Sequence, residues 1–307
     1  MAAVDFLEIC GLASAGGRVG TGSLFRFVDL ASKTISENIG VVFPDWAAGQ
    51  ERVVVLSPHD DDGILGAGHA ILASLAFGGE VHILIYSCGC LGYSSPEQKE
   101  TIVETRRRET YEAYKTVGVP MENIHRLEFD DLSVLGYIGW RMPGGAEGTV
   151  AKVIPLLRRI RATRLLIPNH YRENVDHEAV FKSGVYEGPQ VGDAIIGDQG
   201  SAEPIKSAMQ YSVWGDFSPE EALIDGRNLS IRANTLILCE SSLAERLNDA
   251  IAAWKSQSRI IDGLVRAREA RRYSHYMMEA YIRFDPRPAL DYRPYASFLE
   301  STFGGSL

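Results

Sequence analysis

The sequence predicts an α/β domain: a parallel sheet with helices on both faces and a metal site at the carboxyl ends of its strands. Three observations lead there. Short apolar runs at 52–56, 80–87, 123–129 and 164–168 alternate with longer segments of helical periodicity. The turn after the first run carries one imidazole and three successive carboxylates, His59, Asp60, Asp61 and Asp62. The loop after the fourth run, HYRENVDHEAV at 170–180, brings His170, Asp176 and His177 to the start of another helix.

Taken in order, residues 1–50 read as an extension packed on the core, with glycine pairs and a short amphipathic stretch at 24–35. Residues 51–284 read as the main domain and 285–307 as a tail over its surface. The run at 52–56 feeds the turn SPHDDDGILGAGH and a helix over 64–77, stopped by Gly78 and Gly79. Ser95, Pro96, Glu97 and Gln98 form a capping box with proline at the first helical position, which predicts one long helix over 96–117. Thr149 caps a helix running to Arg161. Beyond 185 the pattern loosens, with strands at 208–214 and 235–239 and a helical pair from Ser241 or Ser242 to about Phe284. Right-handed crossovers give the first four strands the spatial order 3-2-1-4, so the loop after Leu56 lies beside the loop after Pro168 at the switch point where such sheets bind ligands.

Composition narrows the function classes. With 40 acidic against 31 basic residues the formal net charge is −9, which gives no electrostatic footprint for nucleic acid. No apolar run approaches the roughly 20 residues of a membrane span, and the amino terminus MAAVDFLEIC lacks the basic region and apolar core of a signal peptide. Cytoplasmic residence is the default expectation, and a homo-oligomer is compatible with the sequence. Cys88 and Cys90 flank one glycine after the second strand, and Cys239 sits in an apolar run. All three suit small buried hydrophobes, since no second paired unit completes a structural zinc signature.

The acidic turn needs an explanation, because adjacent like charges repel and are costly to desolvate without a cation or donor among them. A helix N-terminus favours one carboxylate, not three behind a histidine. A catalytic zinc site needs about three protein ligands and an open position, and His59, one of the neighbouring aspartates and His177 can supply it. A second carboxylate beside a metal-activated water would serve as general base.

These residues resemble the PIG-L/LmbE family of metal-dependent de-N-acetylases. Its first motif, His-Pro-Asp-Asp-Glu, stands here as His59, Asp60, Asp61, Asp62, Gly63, and its second, His-Pro-Asp-His, as Asn174, Val175, Asp176, His177. Similarity continues through Arg106 and Glu109, LEFDD at 127–131 and YMMEAY at 276–281. The resemblance implies a Rossmann-like, LmbE-like fold. It makes His59, Asp62 and His177 ligands of Zn2+, or of another divalent transition metal, and Asp61 the general base. Asp176 would orient a histidine or the active-site loop. Arg106 and Asp131 would line the sugar-binding rim, with Asp130 able to substitute.

The implied reaction is hydrolysis of an acetamide on an N-acetylated amino sugar or its conjugate, a small-molecule substrate of N-acetylglucosamine type. Three departures stand out. Asp60 replaces the usual proline and falls outside the metal set, so restoring proline is expected to be tolerated. Gly63 replaces a glutamate. Asn174 replaces a histidine and cannot act as a general acid at neutral pH, which leaves that role to Asp61, or in part to His170 or Tyr171. The alternatives are an amidase for another N-acyl amine, or a metal-retaining binding protein without turnover.

Overall fold

The computed structural model describes residues 24–224 and 226–304. Cys10 and the first part of the expected extension lie outside the described residues. β1 (Phe25–Asp29) and β2 (Thr34–Ser36) come first, followed by β3 (Arg52–Ser57), α1 (Asp62–Ala76), β4 (Glu80–Ser87), α2 (Ile102–Thr116) and β5 (Ile124–Phe129). The chain continues through α3 (Thr149–Ile160), β6 (Arg164–Pro168), α4 (Val175–Gln190), β7 (Ser207–Tyr211) and α5 (Pro219–Ile224). It ends with β8 (Thr235–Glu240), α6 (Ser241–Ile251), α7 (Ser258–Arg268), β9 (Arg272–Tyr273), β10 (Tyr276–Phe284) and α8 (Arg293–Phe303).

The described strands form one sheet in the order β2-β1-β8-β10-β7-β6-β3-β4-β5, with β9 on β10. β5, β4, β3, β6 and β7 are mutually parallel, and β4 and β6 flank β3 as the crossover rule requires. The neighbours β10, β8, β1 and β2 run antiparallel to one another, and β10 runs antiparallel to β7. Residues 25–36 therefore supply two strands to the sheet edge.

The alternation of side chains along β3 explains why its sequence is apolar over 53–56. Val53 and Val55 enter a core with Ile64 and Ile71 of α1, Tyr114 of α2 and Leu247 of α6. Val54 and Leu56 enter a second core on the other face, with Leu156 and Leu157 of α3 and Val180 of α4. A strand buried on both faces needs apolar residues over most of its length, and the same burial fixes where its carboxyl end, and hence the acidic turn, must sit. No helix among the described residues is long and apolar enough to cross a membrane.

Three expected elements differ. The capping box closes only a 3-10 turn, Pro96–Gln98, in which Gln98 Oε1 accepts from the Ser94 and Ser95 amides, and the α-helix begins afresh at Ile102. The helical pair ends at Arg268, and YMMEAY lies in β10, paired to both β8 and β7. The strand expected over 208–214 stops at Tyr211, because Ser212, Val213, Trp214 and Gly215 turn away to bind Glu173.

A buried acid on α4 gives the fold a pH dependence. Glu187 is 3% exposed and accepts from Ser183 Oγ at 2.7 Å and from Thr149 Oγ1. Burial outweighs both hydrogen bonds and pushes its pKa up from 4.5 to about 7. A raised carboxyl contributes stability below its unfolded pKa that is lost as pH rises through the folded one. Glu187→Gln should therefore match wild type in thermal unfolding near pH 4 but exceed it by up to about 3 kcal/mol near pH 8. Equal stability at the higher pH would remove this assignment.

Candidate metal centre and active site

Each half of the site comes from a strand's carboxyl end. Ser57 closes β3; its hydroxyl donates to the His59 carbonyl at 2.5 Å and accepts from the Gly63 amide at 3.0 Å, folding the turn back on itself. The fold places Asp62 at the first position of α1, where a carboxylate meets unpaired amides. Its Oδ2 also accepts from the His59 amide at 2.9 Å and lies 3.0 Å from His59 Nδ1. From the loop after β6, His177 comes up on α4 with Nε2 3.1 Å from the same Asp62 oxygen. One ligand atom from each of His59, Asp62 and His177 thus lies within 4.8 Å of the other two.

This set fits a divalent transition metal. The donors are two imidazoles and a carboxylate, the chemistry borderline ions take. Nε2 of His177 is buried close to Asp62 yet makes no aligned hydrogen bond, and coordination would satisfy it. Burial opposes charge on both rings, but Asp176 and Asp62 outweigh it and hold His59 up to about 10, and Asp62 with Glu173 holds His177 up to about 9. Burial likewise opposes charge on Asp62, and the two histidines drive its carboxyl well below the usual range.

The neighbouring aspartates divide sharply. Asp61 is 13% exposed at its side chain, beside Arg106 Nη2 at 3.4 Å. Burial raises its carboxyl above the ordinary range, Arg106 offsets part of this, and Asp62 adds to it. Asp60 is fully buried. Its oxygens accept from Arg106 Nε at 2.9 Å, from Thr110 Oγ1 at 2.9 Å and from Arg126 Nη1. Against the expectation that proline would be tolerated there, proline would remove the carboxylate shared by Arg106 and Arg126, leaving Arg106 only Asp61 and Arg126 only Glu128 as acidic partners. Gly63 is also accounted for: a Cβ there would stand 2.5 Å from the Tyr114 hydroxyl, so no glutamate side chain fits.

The remaining expected residues fall at different distances from the cluster. Arg106 is buried, and its partners are Asp60 and Asp61 rather than an open rim. Asp131 is nearly buried, with Oδ1 accepting from the Gly89 amide and Oδ2 from the Leu91 amide, both at 2.8 Å, so it braces the loop after β4. Asp176 accepts from the Leu132 and Val134 amides and has Oδ2 3.4 Å from His59 Nε2, joining that loop region to the histidine. Asn174 is the N-cap of α4, its Oδ1 taking the Asp176 amide at 2.8 Å. His170 packs at a tilt against Phe181, with its Nε2 3.5 Å from Glu221, contacts directed toward α4 and α5 rather than the aspartates.

Sequence reasoning missed Glu173. Its side chain is fully buried, with Oε2 2.6 Å from His177 Nδ1. Oε1 accepts from Ser212 Oγ at 2.8 Å and from the amides of Val213, Trp214 and Gly215, each at 3.0 Å. One carboxylate therefore fixes the histidine's orientation and ties down the loop after β7. The signal available was an acid four residues before a candidate ligand.

The fold and cluster define a class: an α/β domain with a metal-competent His, Asp, His set at the carboxyl ends of its parallel strands. Residues 54–186 match the family model described as PIG-L, GlcNAc-PI de-N-acetylase. No curated protein matches. Solved structures with this fold include the conserved protein TT1542 from Thermus thermophilus, at 22% identity and TM-score 0.57, covering 78% of this chain and 96% of that one. N,N'-diacetylchitobiose deacetylase from Pyrococcus horikoshii is similar at 15% identity and TM-score 0.59, covering 81% and 88%. So is a 4-carboxy-2-hydroxymuconate hydratase from Pseudomonas putida, at 16% identity and TM-score 0.56, covering 79% and 99%.

Removing one partner of a buried ion pair costs roughly 3–5 kcal/mol. Asp60→Ala and Asp60→Pro should each lower urea-derived stability by about that much, whereas Glu104→Ala, which removes an exposed partner of Arg107, should stay within about 0.5 kcal/mol. A tolerated Asp60→Pro would return Asp60 to a spectator role.

Proposed function

We propose that the protein is a zinc-dependent hydrolase that removes the acetyl group from an N-acetylated amino sugar or its conjugate, of N-acetylglucosamine type, and that it works in the cytoplasm. The observation that carries this reading is the pairing, within the stretch that matches the PIG-L family model, of a His59, Asp62, His177 cluster with one partly exposed carboxylate, Asp61, beside it. His59, Asp62 and His177 would hold the zinc, which when bound polarises a carbonyl oxygen and lowers the pKa of water.

The chain's own groups supply the proton chemistry. Asp61, whose carboxyl sits above the ordinary range, is suited to take a proton from the attacking water and return it to the departing amine. That return is needed because Asn174 cannot supply one. Arg106 holds Asp60 as an anion and offsets part of the rise at Asp61 while fixing both in place. Glu173 holds His177 in one orientation, as the acceptor behind a ligating imidazole does. The fold does not choose the reaction, since a hydratase shares it. The choice rests on the family match and the site, and is supported by a deacetylase of acetylated sugars among the similar structures.

The test is release of free amine and acetate from N-acetylglucosamine, short N-acetylated oligosaccharides and their conjugates, with metal restored after chelation. Turnover on one of these, lost with chelator, is expected; failure on every acylated amine would favour a binding protein that has kept the metal site. Asp61→Asn should retain bound metal and lose about 10²- to 10⁴-fold in kcat. Should Asp61→Asn turn over normally, the proton carrier is another residue. His177→Ala should lose one equivalent of tightly held divalent metal by elemental analysis, and Glu173→Gln should weaken that metal about 10- to 100-fold. Unchanged affinity in both variants would remove α4 from the metal site.

A further inference from the structure

The loop after β4 was expected to bury its cysteines as inert hydrophobes, and it does not do so fully. Cys88 is buried, but Cys90 is half-exposed, and both are free thiols. One ligand atom from each of Cys88, Cys90 and the exposed Asp130 lies within 4.8 Å of the other two. We propose that Cys88, Cys90 and Asp130 form a second metal site, separate from the histidine cluster, for a thiophilic ion of the Zn2+, Cd2+ or Co2+ class.

Three features of the chain assemble this set. Gly89 has φ +79°, a left-handed turn that brings the flanking thiols to one side. A Cβ at that position would also meet Asp60 Oδ2 at 2.9 Å and Arg106 Cδ at 3.0 Å, so the turn is held against the buried ion pair beneath it. The loop after β5 is then stitched to this turn by three hydrogen bonds: the Cys88 amide to the Phe129 carbonyl at 2.7 Å, and the Gly89 and Leu91 amides to Asp131 at 2.8 Å each. With Asp131 occupied in the stitching, Asp130 is left to face the sulfurs, its Oδ1 3.9 Å from Cys88 Sγ.

The donor types set the ligand. Two sulfurs with one carboxylate prefer a soft or borderline ion to Mg2+ or Ca2+, and three protein donors leave a fourth position for water or another ligand. Binding displaces the thiol protons, so occupancy rises with pH. Because Cys90 and Asp130 reach the surface, the ion can enter without unfolding the loop.

Cobalt distinguishes the two sites, since only a site with sulfur donors gives a strong sulfur-to-cobalt charge-transfer band in the near ultraviolet. The full-length protein, reduced and freed of metal, is titrated with Co2+ alone. The expected result is a charge-transfer band in wild type that persists in His177→Ala and disappears in Cys88→Ser and in Cys90→Ser. Asp130→Asn, an exposed substitution that leaves both thiols, should weaken cobalt binding at the band at least several-fold. The proposal is overturned if the reduced wild type gives no such band, if the band survives the Cys88→Ser, Cys90→Ser double variant, or if Asp130→Asn binds as wild type does. None of these readouts depends on deacetylase activity, so this site and the proposed function stand or fall separately.

Discussion

The buried carboxylate of Asp60 is the constraint on which the site depends. It is fully enclosed, and it is stable there because Arg106 from α2 and Arg126 from β5 bring two guanidiniums to it and Thr110 a hydroxyl. An isolated carboxylate at that depth would take up a proton instead of staying charged. With its partners present, Asp60 is held as an anion, below the ordinary carboxylate range against the cost of burial. The turn is thereby pinned to α2 and to β5, which lies two strands away across the sheet. His59 and Asp61 therefore flank a residue held by three side chains, the kind of preorganisation the proposed metal site and general base would need.

A second carboxylate does the same work on the opposite wall. Glu173 collects three consecutive amides of the loop after β7 and the Nδ1 of His177. The two anchors act on different loops, and the ring nitrogens of His59 and His177 approach because β3 and β6 are parallel neighbours. Local charge and global topology are therefore joined at one point: the strand order sets the rough approach, and buried carboxylates reduce it to a fixed distance.

Much of this was legible in the sequence, for reasons particular to each element. Strands buried on both faces are apolar over most of their length, so the runs 53–56 and 165–167 could be found and ordered. The histidines and aspartates of two loops could be brought together from that order alone. Asp60 could not be read correctly, because its meaning lies in Arg106 and Arg126, distant in sequence, and a sequence shows an arginine without showing its burial. β10 was hidden by its own chemistry. Its buried positions include Glu279, which faces inward to Arg268, Arg271 and the His69 amide. An inward acid breaks the apolar alternation by which a strand is recognised, and the segment then passes for a continuation of the arginine-rich helix before it.

The two departures from the family's first motif belong to one rearrangement. The family's usual glutamate follows the aspartate pair, at the position held here by Gly63. That position is closed by the Tyr114 hydroxyl, which stands where a Cβ would have to go, and Tyr114 is itself part of the core beneath α1. The carboxylate has instead moved to the position of the usual proline, where the chain turns toward α2 and β5 and finds Arg106, Arg126 and Thr110. An aspartate at 60 without those partners would be a buried unpaired charge, and without Asp60 the two arginines would each lose their shared buried anion and keep only Asp61 and Glu128. The motif keeps its number of carboxylates, and the one at position 60 is spent on holding the turn in place.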